Sequence, residues 1–194
     1  RFGEPAAFMI GKGILLMIFK TLKSETVYQG KAFDVRREQL LLPDGKTTWF
    51  DLVVHPGAVT LIPVDAQGRV LFIRQYRHAV GKELLELPAG TLEIGEDPAA
   101  WAAREVREDT GLSAGKLTKV GEFFLVPGYS TEYMYMYLAR ALQPDPLPGD
   151  EDEFITVEPF PLDELPRLVS QGLIQDAKSL AALALADPFL NEYR

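Results

Sequence analysis

The sequence predicts an α/β fold in which helices pack on a mixed β-sheet, an α/β/α sandwich, preceded by a small antiparallel β subdomain. Three observations predict it. Short β-forming segments alternate with turn signals between residues 26 and 75, a strongly helical segment covers 98–110, and an alanine- and leucine-rich helix covers 176–186. Strands arranged around a central helix and followed by a terminal helix are typical of this class.

The predicted strands are runs rich in β-branched and aromatic residues, bounded by turn-forming residues. The small subdomain contains strands at 26–28, 33–42 and 47–54, and Pro43-Asp44-Gly45 forms a turn between the last two. The larger part contains strands at 58–64, 70–75, 83–87, 119–125, 133–141 and 154–159, and a second helix at 162–171. Residues 143–153 are rich in proline and acidic side chains and are expected to form a mobile loop.

Composition limits the classes of function. The chain of 194 residues can bury one good core, and its net charge of −8 argues against nonspecific binding to nucleic acid or to an anionic membrane. It has no cysteine, which excludes disulfides, thiolate zinc sites and cysteine nucleophiles. Lys12 interrupts the apolar segment 5–19, which is shorter than the ~20 residues of a membrane span. We expect a cytoplasmic protein in which this segment packs or contacts a second subunit.

The helix at 98–110 carries three carboxylates on one face. Asp97 is a good N-cap, Pro98 suits the first helical position, and Gly111 suits a left-handed C-terminal cap. Three side chains, three and four positions apart, share the face: Glu105, Glu108 and Asp109. An ordinary acidic surface helix is the alternative. Hard oxygen ligands on one rigid element suit Mg²⁺, which also binds substrate phosphates.

The segment 90–112 resembles the Nudix box, G-x5-E-x7-R-E-U-x-E-E-x-G-U with U aliphatic. Its fixed positions are occupied by Gly90, Glu96, Arg104, Glu105, Val106, Glu108, Gly111 and Leu112, and Asp109 stands where the family has its last glutamate. The resemblance implies the Nudix sandwich and magnesium-dependent hydrolysis of a diphosphate.

Segments outside the box resemble ADP-ribose pyrophosphatases of this family. They are residues 53–64, Arg74-Gln75-Tyr76-Arg77, the Glu86-Leu87-Pro88-Ala89-Gly90 turn, and Pro127, fifteen residues after Leu112. The resemblance implies an N-terminal extension at 1–25, a small β subdomain at 26–57 that mediates a homodimer, and a hydrolase domain at 58–194. Similar enzymes cleave GDP-mannose or other nucleoside diphosphate sugars.

The resemblance also implies a metal site. Its ligands would be the carboxylates of Glu105, Glu108 and Asp109 and the backbone carbonyl of Ala89, with Mg²⁺ or, as a substitute, Mn²⁺. Glu86 would assist through water. Four further residues would be structural: Arg104 would orient a box glutamate, Gly90 would permit a sharp turn, and Glu96 and Gly111 complete the motif.

Other residues are candidates for catalysis and substrate binding. Glu153 would be the catalytic base on the acidic loop, with Glu151 as the alternate and a solvated acidic loop as the competing interpretation. Arg77 would clamp the diphosphate, unless it is an ordinary surface charge. Trp49 would stack on adenine, or it is a core or dimer-interface tryptophan.

The resulting hypothesis is hydrolysis of ADP-ribose to AMP and ribose 5-phosphate. The alternatives are a GDP-mannose or broad nucleoside diphosphate sugar pyrophosphatase, and a catalytically weakened Nudix domain that only binds its ligand. Asp109 raises the last possibility because aspartate is one methylene shorter than glutamate, a difference in reach of roughly 1.5 Å.

Overall fold

The computed structural model describes residues 19–93, 95–149 and 153–190 of the chain. The chain divides into two compact units between Val54 and His55. The first is one antiparallel sheet in the order β1-β2-β3, made of β1 (Lys20–Gln29), β2 (Asp34–Leu41) and β3 (Thr47–Val54). Residues 20–25, which we predicted as part of the N-terminal extension, belong to β1. The rest of that extension, residues 1–18, lies outside the described residues.

The described residues of the second unit form two sheets and three α-helices. Its elements are β4 (Ala58–Pro63), β5 (Arg69–Arg77), β6 (Lys82–Glu86), β7 (Ala89–Thr91), α1 (Pro98–Thr110), β8 (Leu112–Phe124), β9 (Tyr133–Pro144), β10 (Ile155–Pro161), α2 (Leu165–Ser170) and α3 (Ala177–Leu190). A four-stranded mixed sheet has the order β7-β4-β9-β8, with β4 and β9 parallel. A three-stranded antiparallel sheet has the order β10-β5-β6.

The buried strands β4 and β9 carry apolar side chains on both faces, which explains their continuous hydrophobic sequences. One face packs against Ala102 and Val106 of α1 and contains Val59, Leu61, Tyr137 and Ala139. The opposite face packs against Ala182 and Ala186 of α3 and contains Ile62, Met134, Met136 and Leu138. Helices therefore cover both faces of the mixed sheet, which confirms the predicted sandwich with its small antiparallel sheet at the N-terminus.

In the second unit, β7 and β8 differ most from the predicted strands, for local reasons. Strand β8 begins at Leu112, directly after α1, although its first residues include Gly115, which weakens a strand pattern. Strand β7 contains Ala89 and Gly90, which read as a turn in the sequence; they pair with Thr60 and Val59 of β4. This short strand carries the glycine beneath helix α1, where the carboxylates lie.

Candidate active site

Helix α1 has the bounds and caps that the sequence predicts. The Asp97 carboxylate accepts a hydrogen bond of 3.0 Å from the backbone N–H of Ala100. Gly111 adopts a left-handed conformation with φ 74°, and its N–H donates to the carbonyl of Arg107. The helix directs Glu105 and Asp109 inward, where each is only 7% exposed, whereas Glu108 is partly buried. Two of the three predicted carboxylate ligands are therefore desolvated.

Gly90 permits the close approach of Glu105. A Cβ atom at Gly90 would lie 2.2 Å from the carboxylate carbon of Glu105, a distance that no side chain can occupy. Gly90 does not have a positive φ, so its role differs from the sharp turn expected from the sequence. Glycine is required here because a carboxylate packs directly on the backbone. Any larger residue would displace Glu105.

Asp109 lies against the same turn. It accepts a hydrogen bond from the backbone N–H of Ala89, and its Oδ2 atom is buried without a hydrogen-bond partner. Buried carboxylate oxygens are normally paired, because leaving one unpaired costs free energy. The free Oδ2 atom is therefore available to a cation.

Burial and mutual repulsion raise the pKa values of these carboxylates. Burial raises the pKa of Glu105 to about 8, and the charges of Asp109, Glu108 and Glu153 act in the same direction against Arg104. Burial also raises the pKa of Asp109 to about 7; the charge of Glu153 adds to this, while the Ala89 hydrogen bond and Arg77 oppose it. A group of carboxylates in this state is stabilised by bound cations.

Glu153 is held beside this group by a residue that sequence reasoning missed. The side-chain nitrogen of Gln75, a buried residue of β5, donates to Glu153 Oε1 at 3.0 Å. The signal available in the sequence was a polar residue at an inward-facing position of a hydrophobic strand. Glu151, the alternate base, lies outside the described residues.

Arg77 and Glu86 form a bidentate ion pair. Arg77 Nε and Nη2 donate to the two oxygens of Glu86 at 2.6 and 3.1 Å, and Glu86 is 2% exposed. Burial opposes the charge of Arg77, but Glu86, Glu153 and Asp176 outweigh it and hold its pKa above the usual value. The predicted phosphate clamp therefore lies near the predicted base and is paired with Glu86. Lys178 of α3, also missed, is a second partner of Glu86.

Arg104 lies over the outer part of α1. Its guanidinium is 3.6 Å from Glu96 and 3.5 Å from Glu108, and it stacks on the Trp101 ring at 3.6 Å. These contacts bring Arg104 and Glu96 together around Glu108, the partly buried carboxylate. Trp49 belongs to the small sheet, where Lys23 and Arg37 lie 5.5 and 5.1 Å from its ring centre; its proposed contact with adenine stays a prediction.

Comparison with known families assigns both units. Residues 54–183 match the model of the NUDIX domain. The chain belongs to the Nudix family. Residues 19–53, which contain β1, β2 and most of β3, match the model of the nucleoside diphosphate sugar hydrolase N-terminal domain.

Individual relatives of this Nudix chain cover most of its length. An ADP-ribose pyrophosphatase of Bacillus subtilis is 37% identical over 166 residues, which is 84% of this chain and 90% of that protein. A GDP-mannose pyrophosphatase of Yersinia pestis is 35% identical over 141 residues, 67% of this chain and 70% of that protein. A crystal structure of an ADP compounds hydrolase superimposes with a TM-score of 0.84 and 26% identity, covering 93% of this chain and 98% of that one.

The residues of this Nudix site fit a divalent metal, which Nudix hydrolases generally use. The fit rests on the unpaired Oδ2 atom of Asp109 and on the packing of the Glu105 carboxylate against Gly90. Within the described ranges, no three acidic, histidine or cysteine residues form a ready-made metal cage. In the described part of the chain no helix has the length and apolarity needed to cross a membrane.

The stability of the metal-free protein should depend on pH through Glu105. Its pKa is raised in the folded state, so the stabilising contribution is complete below about pH 4.5 and is lost as pH rises through about 8. In EDTA at pH 8.5, Glu105→Gln should therefore be more stable than the native protein by about 1–3 kcal/mol, and the difference should shrink at pH 5.

Chemical denaturation at the two pH values measures this difference. The surface variant Glu164→Gln, which removes an exposed pair with Arg167, is the control and should show little pH-dependent change. A Glu105→Gln variant that is less stable than native at pH 8.5 without metal would show that burial of the Glu105 carboxylate does not destabilise the native protein.

Proposed function

We propose that this Nudix protein hydrolyses the diphosphate bond of ADP-ribose, giving AMP and ribose 5-phosphate, with Mg²⁺ as cofactor and Mn²⁺ as a substitute. The observation that carries the proposal is the group of buried carboxylates with raised pKa values beside Arg77. Divalent cations bound together with a diphosphate would offset the repulsion between these carboxylates. The likeness to an ADP-ribose pyrophosphatase over 84% of the chain supports the substrate.

The chain's own residues have separable roles in this reaction. Bound divalent cations would neutralise charge on the diphosphate and lower the pKa of water. Glu105, Glu108 and Asp109 would hold them, with the carbonyl of Ala89. Arg77 would bind diphosphate oxygens through its planar guanidinium.

Glu153 would complete the reaction as general base. It accepts a proton from water as the water oxygen bonds to phosphorus, and the bridging P–O bond breaks with its electron pair leaving on the departing phosphate. Its hydrogen bond to Gln75 fixes the direction of the carboxylate. A stacking role for Trp49 on adenine is part of the same proposal.

Hydrolysis of GDP-mannose is the alternative that a specific observation favours, because a GDP-mannose pyrophosphatase is similar over 67% of the chain. A panel of ADP-ribose, GDP-mannose and other nucleoside diphosphate sugars, assayed with Mg²⁺ and with Mn²⁺, separates the two. We expect the highest kcat/KM for ADP-ribose. A higher value for GDP-mannose would replace the proposed substrate.

Running the same panel on Asp109→Glu tests the irregular motif residue and the ligand-binding alternative together. Glutamate extends the carboxylate by roughly 1.5 Å towards the cation. Because Mg²⁺ tolerates misplaced ligands poorly, we expect kcat to rise about 3- to 10-fold in the variant. Native turnover that equals or exceeds the variant's would contradict this. Turnover only in the variant would make the native chain a ligand-binding domain.

A homodimer formed through the small sheet belongs to the same proposal. The sheet exposes apolar side chains that a monomer would leave in water: Leu22, Val27, Tyr28, Trp49 and Phe50. Light scattering of the purified protein measures the mass in solution, and a monomeric mass at micromolar concentration would exclude the dimer.

A further inference from the structure

Lys178 occupies an unfavourable position for a cation. It lies in the first turn of α3 and is the only lysine or arginine of that helix, whose sequence is otherwise largely apolar. The N-terminus of a helix carries partial positive charge, so a lysine there is destabilising unless an anion compensates it. The Lys178 side chain is only 12% exposed. A specific anionic partner is therefore required.

The partners of Lys178 connect α3 to the turn beneath the carboxylates. Its ammonium group donates to Glu86 Oε2 and, at 2.9 Å, to Asp176 Oδ1. Asp176 Oδ1 also accepts the backbone N–H of Ser179 and so caps the helix. The Ser179 hydroxyl in turn accepts the N–H of Leu87 at 2.8 Å, in the core. These contacts therefore fix residues 86 and 87, which closely precede Ala89 and Gly90 in the chain.

Glu86 therefore has two cationic partners, Arg77 and Lys178. Arg77 is 36% exposed in its side chain and can turn towards a diphosphate, whereas Lys178 is buried and bound to Asp176. A buried carboxylate that loses its only counterion is strongly destabilised. If Arg77 were the sole partner, Glu86 would compete with the substrate for it.

We propose that Lys178 is a positioning residue that neutralises Glu86 and thereby releases Arg77 to bind the substrate diphosphate. The inference rests on the proposed function, because it takes Arg77 as the diphosphate ligand. The start of α3 then contributes to substrate affinity through Lys178. Lys178 itself does not touch the reacting atoms.

Substitution of Lys178 should change KM more than kcat. In Lys178→Met the apolar stem is kept and the charge removed, so Glu86 retains Arg77; we expect KM for ADP-ribose to rise about 10-fold and kcat to change less than about 3-fold. Lys178→Arg keeps the charge and should restore KM to within about 3-fold of native. Lys116→Met, on the exposed part of β8, is the matched control and should behave as native.

A double-mutant cycle with Glu86→Gln separates this role from general support of the fold. When residue 86 is neutral it no longer holds Arg77, so adding Lys178→Met to Glu86→Gln should leave KM unchanged within about 3-fold. Binding of the methylene analogue of ADP-ribose, which cannot be hydrolysed, is measured by calorimetry for the same variants and should follow the same pattern in Kd.

The outcomes distinguish this inference from the proposed function. Native protein that hydrolyses ADP-ribose while Lys178→Met matches Lys116→Met in KM and Kd would overturn the role of Lys178 and leave the function intact. A KM change of equal size in the Glu86→Gln background would also overturn it, as a structural effect. Native protein that neither hydrolyses ADP-ribose nor binds the analogue would overturn both.

Discussion

Glu105→Gln should lower kcat for ADP-ribose about 10³-fold or more. Glutamine keeps the shape that fits against Gly90 but removes the negative charge, and its amide N–H₂ group cannot bind a cation. The remaining carboxylates would then share the task of holding the metal ions that neutralise the diphosphate. Steady-state assays with saturating Mg²⁺ measure the change.

If the stability of Glu105→Gln is as expected, its lower kcat cannot be explained by loss of folding. We expect Glu105→Gln to be at least as stable as the native protein above pH 8 without metal. The substitution removes a buried carboxylate whose pKa is raised to about 8. Glu164→Gln, on the surface, should keep native kcat. A kcat for Glu105→Gln within about 10-fold of native would remove Glu105 from the proposed metal ligands.

Glu153→Gln should lower kcat about 10²- to 10³-fold with a smaller effect on KM. The variant keeps a side chain that Gln75 can bond but cannot accept a proton from water. Steady-state assays with saturating Mg²⁺ measure kcat and KM for the native protein and the variant.

Glu158→Gln is the matched control for this experiment. Glu158 lies in β10, five residues further along the chain, and pairs with Arg74 at 2.5 Å instead of facing the carboxylate group. Its substitution should leave kcat nearly native. If Glu153→Gln is also within about 3-fold of native, the base must be sought elsewhere, and Glu151 is the next candidate.

Local signals explain why part of this site could be predicted from the sequence. The caps of α1 depend on Asp97, Pro98 and Gly111, which act within one helical turn of their own positions. Helical spacing alone places Glu105 and Asp109 on one face. The burial of β4 and of the central part of β9 on both faces likewise follows from continuous apolar runs, so the sandwich could be anticipated.

Long-range contacts explain what could not be predicted. Gln75 and Glu153 meet because β5 pairs with β10, 78 positions away. Lys178 reaches Glu86 across 92 positions, and only the packing of α3 brings them together. The requirement for glycine at position 90 depends on how closely a side chain of α1 approaches, which no local pattern reports. Strand β1 was recognised only in part because its polar residues are exposed and show no alternation.

Metal-dependent hydrolysis of ADP-ribose is the property on which the proposed function depends. Release of AMP and ribose 5-phosphate by the purified chain is measured with Mg²⁺, after removal of metal with EDTA, and after Mg²⁺ is restored. We expect turnover with Mg²⁺, its loss in EDTA and its full recovery on restoration. Product release that is unchanged in EDTA, or no release from any nucleoside diphosphate sugar with Mg²⁺ or Mn²⁺, would contradict the proposed function.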